Sequence, residues 1–435
     1  MPFDSIITTL KRIIPRPLIE KLLPIYHWLW AAGSALYYRL PGRHLYVIMV
    51  TGSKGKTTTV EMINAILESA GFQTAVASTL RFKVRDRQTP NRYKMSVPGR
   101  GLMQRFLRNS VNEGCDVAIM EMTSQAVLNH RHKFLFPNAL VFTNLEPEHI
   151  EAHGGYENYR EAKLNIADEI KKSFKMNKAI IANLDNQEGR KFATRAFSSQ
   201  TRDYSYSFLN EASKVNLENH ISFKYKKNTF LSNLQGAHNA SNLLAAIKTA
   251  EFMHVTLNDI ATGIKNLSMI RGRLESIDET EEAGFETYVD YAHTPESLRA
   301  VYNTFPNHTK IAVLGNAGGG RDTWKRAEMA KIAEECADHI ILTDEDPYDE
   351  DPKSIVDEMY QAIQNQDKVE TEMDRRVAIR KALEHARNIA SKSNNVVVLV
   401  TGKGTDPYIM RANDNKEPWD DATVVREELA RITKD

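Results

Sequence analysis

The sequence predicts an α/β protein with mostly parallel sheets, arranged as two successive α/β sets behind a short helical N-terminal segment. Three observations carry this expectation. Short β-branched and apolar runs such as Tyr46–Val50, Ala139–Thr143 and Val396–Val400 alternate with stretches of helical periodicity. These runs are apolar throughout rather than alternating, as strands covered on both faces are. Glycine-rich or polar clusters follow their C-terminal ends, where open α/β sheets carry their ligand sites.

Composition narrows the class. A chain of 435 residues is long for one domain, so two or three are expected. With 57 Lys+Arg against 56 Asp+Glu, no global basic footprint points to nucleic acid. The hydrophobic share of 42% and charged share of 26% are those of a soluble globular chain. Cys115 and Cys336 are too few for a disulfide framework, and the expected compartment is the reducing cytoplasm.

The elements follow in order. Leu22–Leu36 is an apolar run of 15 residues containing Pro24 and His27, whereas a spanning helix needs about 20. No small-residue cleavage site follows it, which disfavours a signal peptide. Lys11, Arg12, Arg16 and Lys21 precede the run, and Arg39 and Arg43 follow it. Residues 18–40 therefore fit either an interfacial membrane helix or a helix packed on the neighbouring domain or a second subunit. In the first α/β set, strand Tyr46–Val50 breaks into Thr51–Gly55 and enters helix Thr57–Ala70. Pro98–Asn112 reads as helix, Asp116–Met120 as a strand ending in Glu121, and Ala139–Thr143 as a strand ending in Asn144. Tyr156–Lys171 reads as one charged amphipathic helix, and Ala179–Ala182 as a strand entering the turn Asn183–Asn186. Lys214–Leu231 alternates as short antiparallel strands do, before helix Ala237–Met253. A second, Rossmann-like set holds strands Thr287–Val289, Lys310–Leu314, His339–Leu342 and Val396–Val400. The expected domains are residues 1–44, 45–270 and 271–435, with the last boundary near Ile270–Arg273.

The first strand and its loop carry the plainest chemistry. Gly52, Ser53, Lys54 and Gly55 form a loop whose glycines let backbone N–H groups approach phosphate oxygens, and the helix N-terminus at Lys56, Thr57 and Thr58 adds partial positive charge. Lys56 would reach the β- and γ-phosphates of a nucleotide, and the Thr57 hydroxyl would bind Mg²⁺. The pattern G-x-x-x-x-G-K-[ST] is incomplete, since Val50 stands where its first glycine belongs. Glu121 could reach a metal beside this loop or sit in solvent at the end of its strand. His149, His153 and Lys163 lie near several carboxylates, but a protonated lysine cannot ligate a metal. From spacing alone, Lys163 reads as a solvated helix lysine.

Ten motifs in fixed order change that reading. They are TGSKGKTTT at 51–59, EMTSQA at 121–126, TNLEPEHIEAHG at 143–154, YREAK at 159–163, GAHNASNLLAA at 236–246, RGRLE at 271–275, DYAHTPESL at 290–298, GNAGGGRDTWKR at 315–326, DEDPYDEDP at 344–352 and GKGTD at 402–406. Together they make the chain resemble the Mur ligase family, most of all its muramyl-tripeptide synthetases, from about Leu45 to Ala430. The resemblance implies a P-loop central ATPase domain, a C-terminal nucleotide-closing domain, ATP, and two Mg²⁺ ions. It assigns the phosphates and one Mg²⁺ to Lys56 and Thr57, and a second Mg²⁺ to Glu121 and His149, with Lys163 as the family's carbamylated lysine. Asn239 and Asn242 match positions around adenine, and Arg273, Asp290, Tyr291 and His293 match nucleotide contacts of the closing domain. Lys325 and Arg326 match a basic pair. Ser124, Arg131, Asp346, Pro347, Tyr348, Gly402 and Asp406 match substrate positions. The implied reaction activates a carboxylate as an acyl phosphate and displaces phosphate with an amine, His153 and His293 being candidate bases. Closure over the intermediate would exclude water.

Three departures bear on specificity. Only about 44 residues precede the ATP-binding domain, too few for the family's N-terminal UDP-gripping domain, which puts UDP recognition in doubt and leaves a lipid-linked acceptor open. Relatives that add diaminopimelate carry D-N-P-R, whereas here Glu345-Asp346-Pro347-Tyr348 puts a tyrosine in place of the carboxylate-binding arginine and disfavours that amino acid. The acidic run Asp344, Glu345, Asp346, Asp349, Glu350 and Asp351 suits a cationic side chain such as lysine, or is a solvated loop. Finally, Thr405-Asp406 stands where relatives have His-Glu. The expected partners are a carboxylate-bearing precursor of the peptidoglycan type and an amino acid. A folylpolyglutamate- or cyanophycin-type ligase, and a P-loop scaffold without ligase activity, are the alternatives.

Overall fold

The computed structural model describes residues 16–93, 95–99, 101–146, 153–218, 220–320, 322–391 and 395–433. Two compact units emerge: Met1–Leu145, Glu157–Tyr206 and Ala245–Val255 form the first, and Glu146–Tyr156, Ser207–Leu244 and Thr256–Asp435 form the second. Helix Ala237–Phe252 is shared between them at Leu244.

The first unit is built on an eight-stranded sheet. In chain order its strands are β1 (Tyr46–Thr51), β2 (Thr74–Ala77), β3 (Arg81–Val84), β4 (Arg87–Pro90), β5 (Val117–Met122), β6 (Ala139–Phe142), β7 (Lys178–Ala182) and β8 (Thr201–Asp203). Their spatial order is β4-β3-β2-β5-β1-β6-β7-β8. Six strands run parallel, and β3 and β4 add an antiparallel edge. The central strands β1, β5 and β6 are buried along nearly their whole length, which is why they read as continuous apolar runs. The helices of this unit that bear on the site are α1 (Arg16–Tyr37), α2 (Lys56–Ser69), α3 (Leu102–Asn112), α4 (Ser124–Leu128), α5 (Tyr156–Leu164) and α6 (Ala167–Lys172). The expected helix Tyr156–Lys171 is thus two helices, with the break at Asn165–Ile166. The helix expected from Pro98 starts only at Leu102, after Gly101 in a left-handed conformation at its N-cap.

In the second unit, three antiparallel strands, β9 (Ala212–Asn216), β10 (Ile221–Tyr225) and β11 (Asn228–Ser232), match the alternating stretch. Its main sheet holds β12 (Glu275–Ser276), β13 (Glu286–Asp290), β14 (Thr309–Leu314), β15 (His339–Leu342), β16 (Val369–Thr371) and β17 (Val396–Thr401) in the order β12-β13-β17-β14-β15-β16. All neighbours are parallel except β12 against β13. Side-chain alternation on β17 divides two cores: Val397 and Leu399 join one, and Val396, Val398 and Val400 join the other.

One buried ion pair ties the sheet of the second unit to its last helix. Arg375 donates from Nε and Nη2 to the two carboxylate oxygens of Asp421 at 2.9 and 2.8 Å, and also to Thr401 O at 2.9 Å. The two side chains are 1% and 0% exposed. Removing one partner strands the other charge in the core, so Asp421→Ala is expected to cost about 3–5 kcal/mol, read as a fall in the urea midpoint.

Candidate functional site

In the first unit, the polar end of β6 shapes the phosphate loop. Gly52 has φ 151°, and a Cβ there would stand 1.9 Å from Thr143 Oγ1, so a larger residue would displace the loop. The Ser53 amide donates to Asn144 O at 2.9 Å and the Lys54 amide to Asn144 Oδ1 at 2.8 Å. Thr143 Oγ1 donates to Lys54 O at 2.6 Å. The chain enters α2 through Gly55, left-handed at φ 79°. Lys56 Nζ folds back on the loop, donating to Gly52 O at 3.0 Å and Ser53 O at 2.6 Å. Thr57 and Thr58 are buried in the first turn of α2.

Glu121 stands beside this loop because β1 and β5 pair in parallel with Val50 opposite Glu121. It is fully buried, which overturns the reading of a carboxylate in solvent. Its oxygens accept from the Thr79 amide at 2.8 Å and the Thr79 hydroxyl at 2.7 Å, and Thr79 in turn meets Ser96 Oγ at 2.6 Å. Among the described residues these partners are neutral, so the carboxylate has no cation of its own side-chain network. Thr79 carries no motif of its own in the sequence and precedes the hairpin β3–β4, which the sequence pattern does not announce.

Lys163 is buried at 3% exposure rather than solvated. Its Nζ donates to Gly52 O and lies 5.2 Å from the Tyr159 ring, while Tyr159 Oη meets Ser53 Oγ at 2.7 Å. The i, i+4 face of α5 thus carries both residues to the phosphate loop. His149 lies outside the described residues, and His153 is half-buried in the second unit. No three His, Cys, Asp or Glu side chains converge as a metal cluster among the described residues. Ser124 is buried at the start of α4, behind the N-cap Thr123. Arg131 donates to Val97 O at 2.7 Å, bracing the loop that leads to Gly99, and burial lowers its pKa.

In the second unit, Arg273, Asp290, Tyr291 and His293 come together around the end of β13. The Arg273 guanidinium lies over the Tyr291 ring at 4.6 Å, and that ring meets the His293 ring edge-on at 4.7 Å. Burial pushes the Tyr291 phenol well above its usual range. His293 Nδ1 is 2.8 Å from Tyr291 O; a carbonyl only accepts, so Nδ1 carries the proton and Nε2 is the basic nitrogen of the neutral ring. Lys325 Nζ donates to His293 O at 3.1 Å. Asp290 accepts from the amides of Leu274 and Ala292, both at 2.7 Å, and so shapes the turn. Asn239 and Asn242 are buried and joined at 3.1 Å, with Asn239 also donating to Gln235 O. Arg326 departs from its neighbour Lys325, pairing with Glu350 at 2.7 Å and Glu358 at 2.9 Å.

The acidic loop divides: Asp344, Glu345 and Asp346 are buried, whereas Asp349 and Asp351 are exposed to solvent, and most of its carboxylates already have partners. Asp344 pairs with Arg411, Glu350 with Arg326, and Asp351 caps the helix Pro352–Gln361. Asp349 accepts from the Asn413 amide at 2.8 Å. Lys403, 1% exposed, donates to Asp346 at 2.9 Å, Asp406 at 3.0 Å and Tyr408 O at 2.6 Å. Burial pulls the Lys403 pKa down, but the carboxylates of Asp406 and Asp346 more than offset this and raise it. Pro347 and Tyr348 contribute backbone packing: Tyr348, at φ 54°, donates its amide to Met410 O at 3.1 Å. Glu345 is the exception. Its Oε2 is buried without a hydrogen-bond partner among the described residues, in space that a side chain at Gly402 would fill at 2.2 Å. Burial raises its pKa to about 7, against the pull of Arg375. By residue type and position it is indistinguishable from its acidic neighbours.

Because the unfolded carboxyl releases its proton near 4.5 and the folded one near 7, Glu345 costs stability progressively as pH rises through that interval. Glu345→Gln is therefore expected to raise Tm at about pH 8 relative to the unsubstituted protein, with little difference at about pH 5, by calorimetry at both values.

Comparisons with known proteins identify the family. The model of the Mur ligase middle domain matches residues 50–250, and that of the Mur ligase, glutamate ligase domain matches 272–404. The UDP-N-acetylmuramoyl-L-alanyl-D-glutamate--2,6-diaminopimelate ligase of Clostridium botulinum is 30% identical over 412 residues, which cover 92% of this chain and 81% of that protein. The enzyme of the same name from Syntrophomonas wolfei is 34% identical over 415 residues, covering 91% and 80%. A solved structure of such a ligase superposes with TM-score 0.60 at 26% identity, covering 89% of this chain and 79% of that one. The folylpolyglutamate synthase of Mycobacterium tuberculosis shares the fold at TM-score 0.67 and 16% identity, with coverage of 88% and 96%. Matches to both domain models, with relatives aligned over nine-tenths of its length, make this chain a member of the Mur ligase family.

Proposed function

We propose that this chain is an ATP-dependent ligase that activates a substrate carboxylate as an acyl phosphate and joins it to the amine of an amino acid, in synthesis of a peptidoglycan-type precursor. The observation that carries this is the convergence of Lys56, Lys163 and buried Glu121 on one glycine loop at a helix N-terminus. Lys56 neutralises the γ-phosphate while a carboxylate oxygen attacks phosphorus and ADP leaves. The neutral amine then attacks the acyl carbon, phosphate departs, and the amine proton passes to a base. His293, with Nε2 basic, is the favoured base. Thr57 and Glu121 offer the hard oxygen donors that Mg²⁺ takes, and a buried carboxylate with only neutral partners fits such an ion. His149 and Lys163 complete the proposed set of two Mg²⁺ sites, Lys163 as its carbamate, since an ammonium cannot ligate. The bound ions supply charge neutralisation at the phosphates.

The carboxylate partner in this reading is a D-glutamate-ended muramoyl precursor, as in the names of the relatives. The amino acid partner carries a second cationic group, such as lysine, which Glu345 receives because its acidic neighbours are already paired. The reaction takes place in the cytoplasm, with residues 18–40 in peripheral contact with the membrane. A phosphate-release screen tests the reading by crossing UDP-N-acetylmuramoyl-L-alanyl-D-glutamate and other carboxylates with lysine, diaminopimelate and neutral amino acids. Release of phosphate that requires both an acceptor and an amino acid supports the ligase. ATP turnover indifferent to every acceptor and to Lys163→Ala contradicts it. Glu345→Gln is expected to lower kcat/KM for the cationic amino acid by about tenfold to a hundredfold, with a smaller effect on neutral ones.

A further inference from the structure

Helix α1 carries an apolar face that the rest of the described chain leaves uncovered. Leu22, Ile25, Leu29 and Leu36 recur at spacings of three, four and seven, so they share one face of the helix, and they are 45%, 57%, 57% and 69% exposed. Trp28, Trp30 and Tyr37 flank that stripe and are also exposed. The helix is nonetheless seated. Trp28 meets the Phe134 ring at 6.0 Å, Ser34 is buried against Gly101, and Arg108 holds Tyr38 O at 2.9 Å. A cavity of about 490 Å³ lined by Tyr26, Trp30, Tyr37 and Tyr38 opens beside the stripe.

The surface continues through aromatic contacts. Phe136, two residues from Phe134, meets Phe174 at 4.8 Å, and Arg43 lies over Phe174 at 5.1 Å. Phe174 and the neighbouring Met176 are exposed.

Charge decides among occupants. Residues 22–38 contain no Lys, Arg, Asp or Glu, whereas residues 1–44 hold six Lys or Arg (Lys11, Arg12, Arg16, Lys21, Arg39, Arg43) against Asp4 and Glu20. Flanking charges favour register in a helix pair with a second copy, and residues 22–38 supply none. An uncharged stripe edged by Trp and Tyr and bracketed by cations is the pattern of a helix lying in the interface of an anionic bilayer. No helix of the described residues is long and apolar enough to cross a membrane. We propose that α1 docks this protein on anionic phospholipid, with Leu22, Ile25, Leu29 and Leu36 entering the acyl boundary and the flanking Trp and Tyr at headgroup level. This deepens the peripheral contact of the functional reading but does not depend on the ligase chemistry.

Flotation of the full chain with vesicles of phosphatidylcholine, with and without phosphatidylglycerol, tests it. The expected result is flotation with the anionic vesicles only, weakened by salt and reduced about tenfold or more in Ile25→Glu/Leu29→Glu. Lys56→Ala is expected to float like the unsubstituted protein, which separates docking from catalysis. Both substituted positions are exposed, so an unchanged thermal melt verifies the fold. Failure to float, equal flotation with pure phosphatidylcholine, or full flotation of Ile25→Glu/Leu29→Glu overturns the proposal. So does a dimer, by sedimentation, that Ile25→Glu/Leu29→Glu converts to a monomer without vesicle binding by either form, since a second copy then covers the face.

Discussion

Lys56→Ala is expected to abolish ligation, lowering kcat/KM for ATP by about a thousandfold or more. The side chain is already poised on the loop, its Nζ held by Gly52 O and Ser53 O. Its cationic Nζ lies within reach of the loop's anion cradle, and alanine removes the only charge that α2 presents in its first turn. Because two hydrogen bonds within the loop are also lost, nucleotide affinity falls together with turnover. Titration calorimetry with ATP and single-turnover kinetics separate the two. Turnover within tenfold of the unsubstituted enzyme would remove the loop from the phosphate-transfer step.

The second large effect concerns Lys163. Two roles compete for a buried lysine whose Nζ reaches Gly52 O. As an ammonium, it would brace the loop, and Lys163→Arg, which retains charge and donors, would keep much of the activity. As a carbamate, it would become anionic and support a metal, and no arginine could replace it. Lys163→Arg is expected to lose activity by about a hundredfold or more, as when a metal site loses its support. Incubation with carbon-13 bicarbonate should give a carbamate resonance in the unsubstituted protein that is missing from Lys163→Arg. Robust activity of Lys163→Arg with no such resonance in either protein would leave Lys163 as a structural donor.

What the sequence made legible was whatever is local and apolar. Strands β1, β6, β14 and β17 are buried on both faces, so their runs of Val, Ile and Leu speak for themselves. The hairpin β3–β4 did not, because RFKV is charged and half-buried and RQTP is exposed throughout at a sheet edge. The break between α5 and α6 carries neither Pro nor Gly, so nothing in Asn165–Ile166 announced it. The glycine loop was readable from its own residues. The nearness of Glu121 was not, since it follows from the parallel register of β5 on β1, and the clamp by Thr79 follows from yet another segment. The acidic loop misled for the same reason. Its charges are met by Arg326, Lys403 and Arg411, from helices and loops far along the chain. Only the packed structure separates Glu345 from its paired neighbours.

Carboxylate activation by phosphoryl transfer leaves an isotopic trace. UDP-N-acetylmuramoyl-L-alanyl-D-glutamate labelled with oxygen-18 in its carboxylates is turned over with ATP and lysine, and the released phosphate is weighed by mass spectrometry. Passage through an acyl phosphate leaves one labelled oxygen in each phosphate, because the attacking carboxylate oxygen departs with phosphorus when the amine displaces it. Amide formed with unlabelled phosphate, or with AMP and pyrophosphate as the products, would rule out an acyl phosphate.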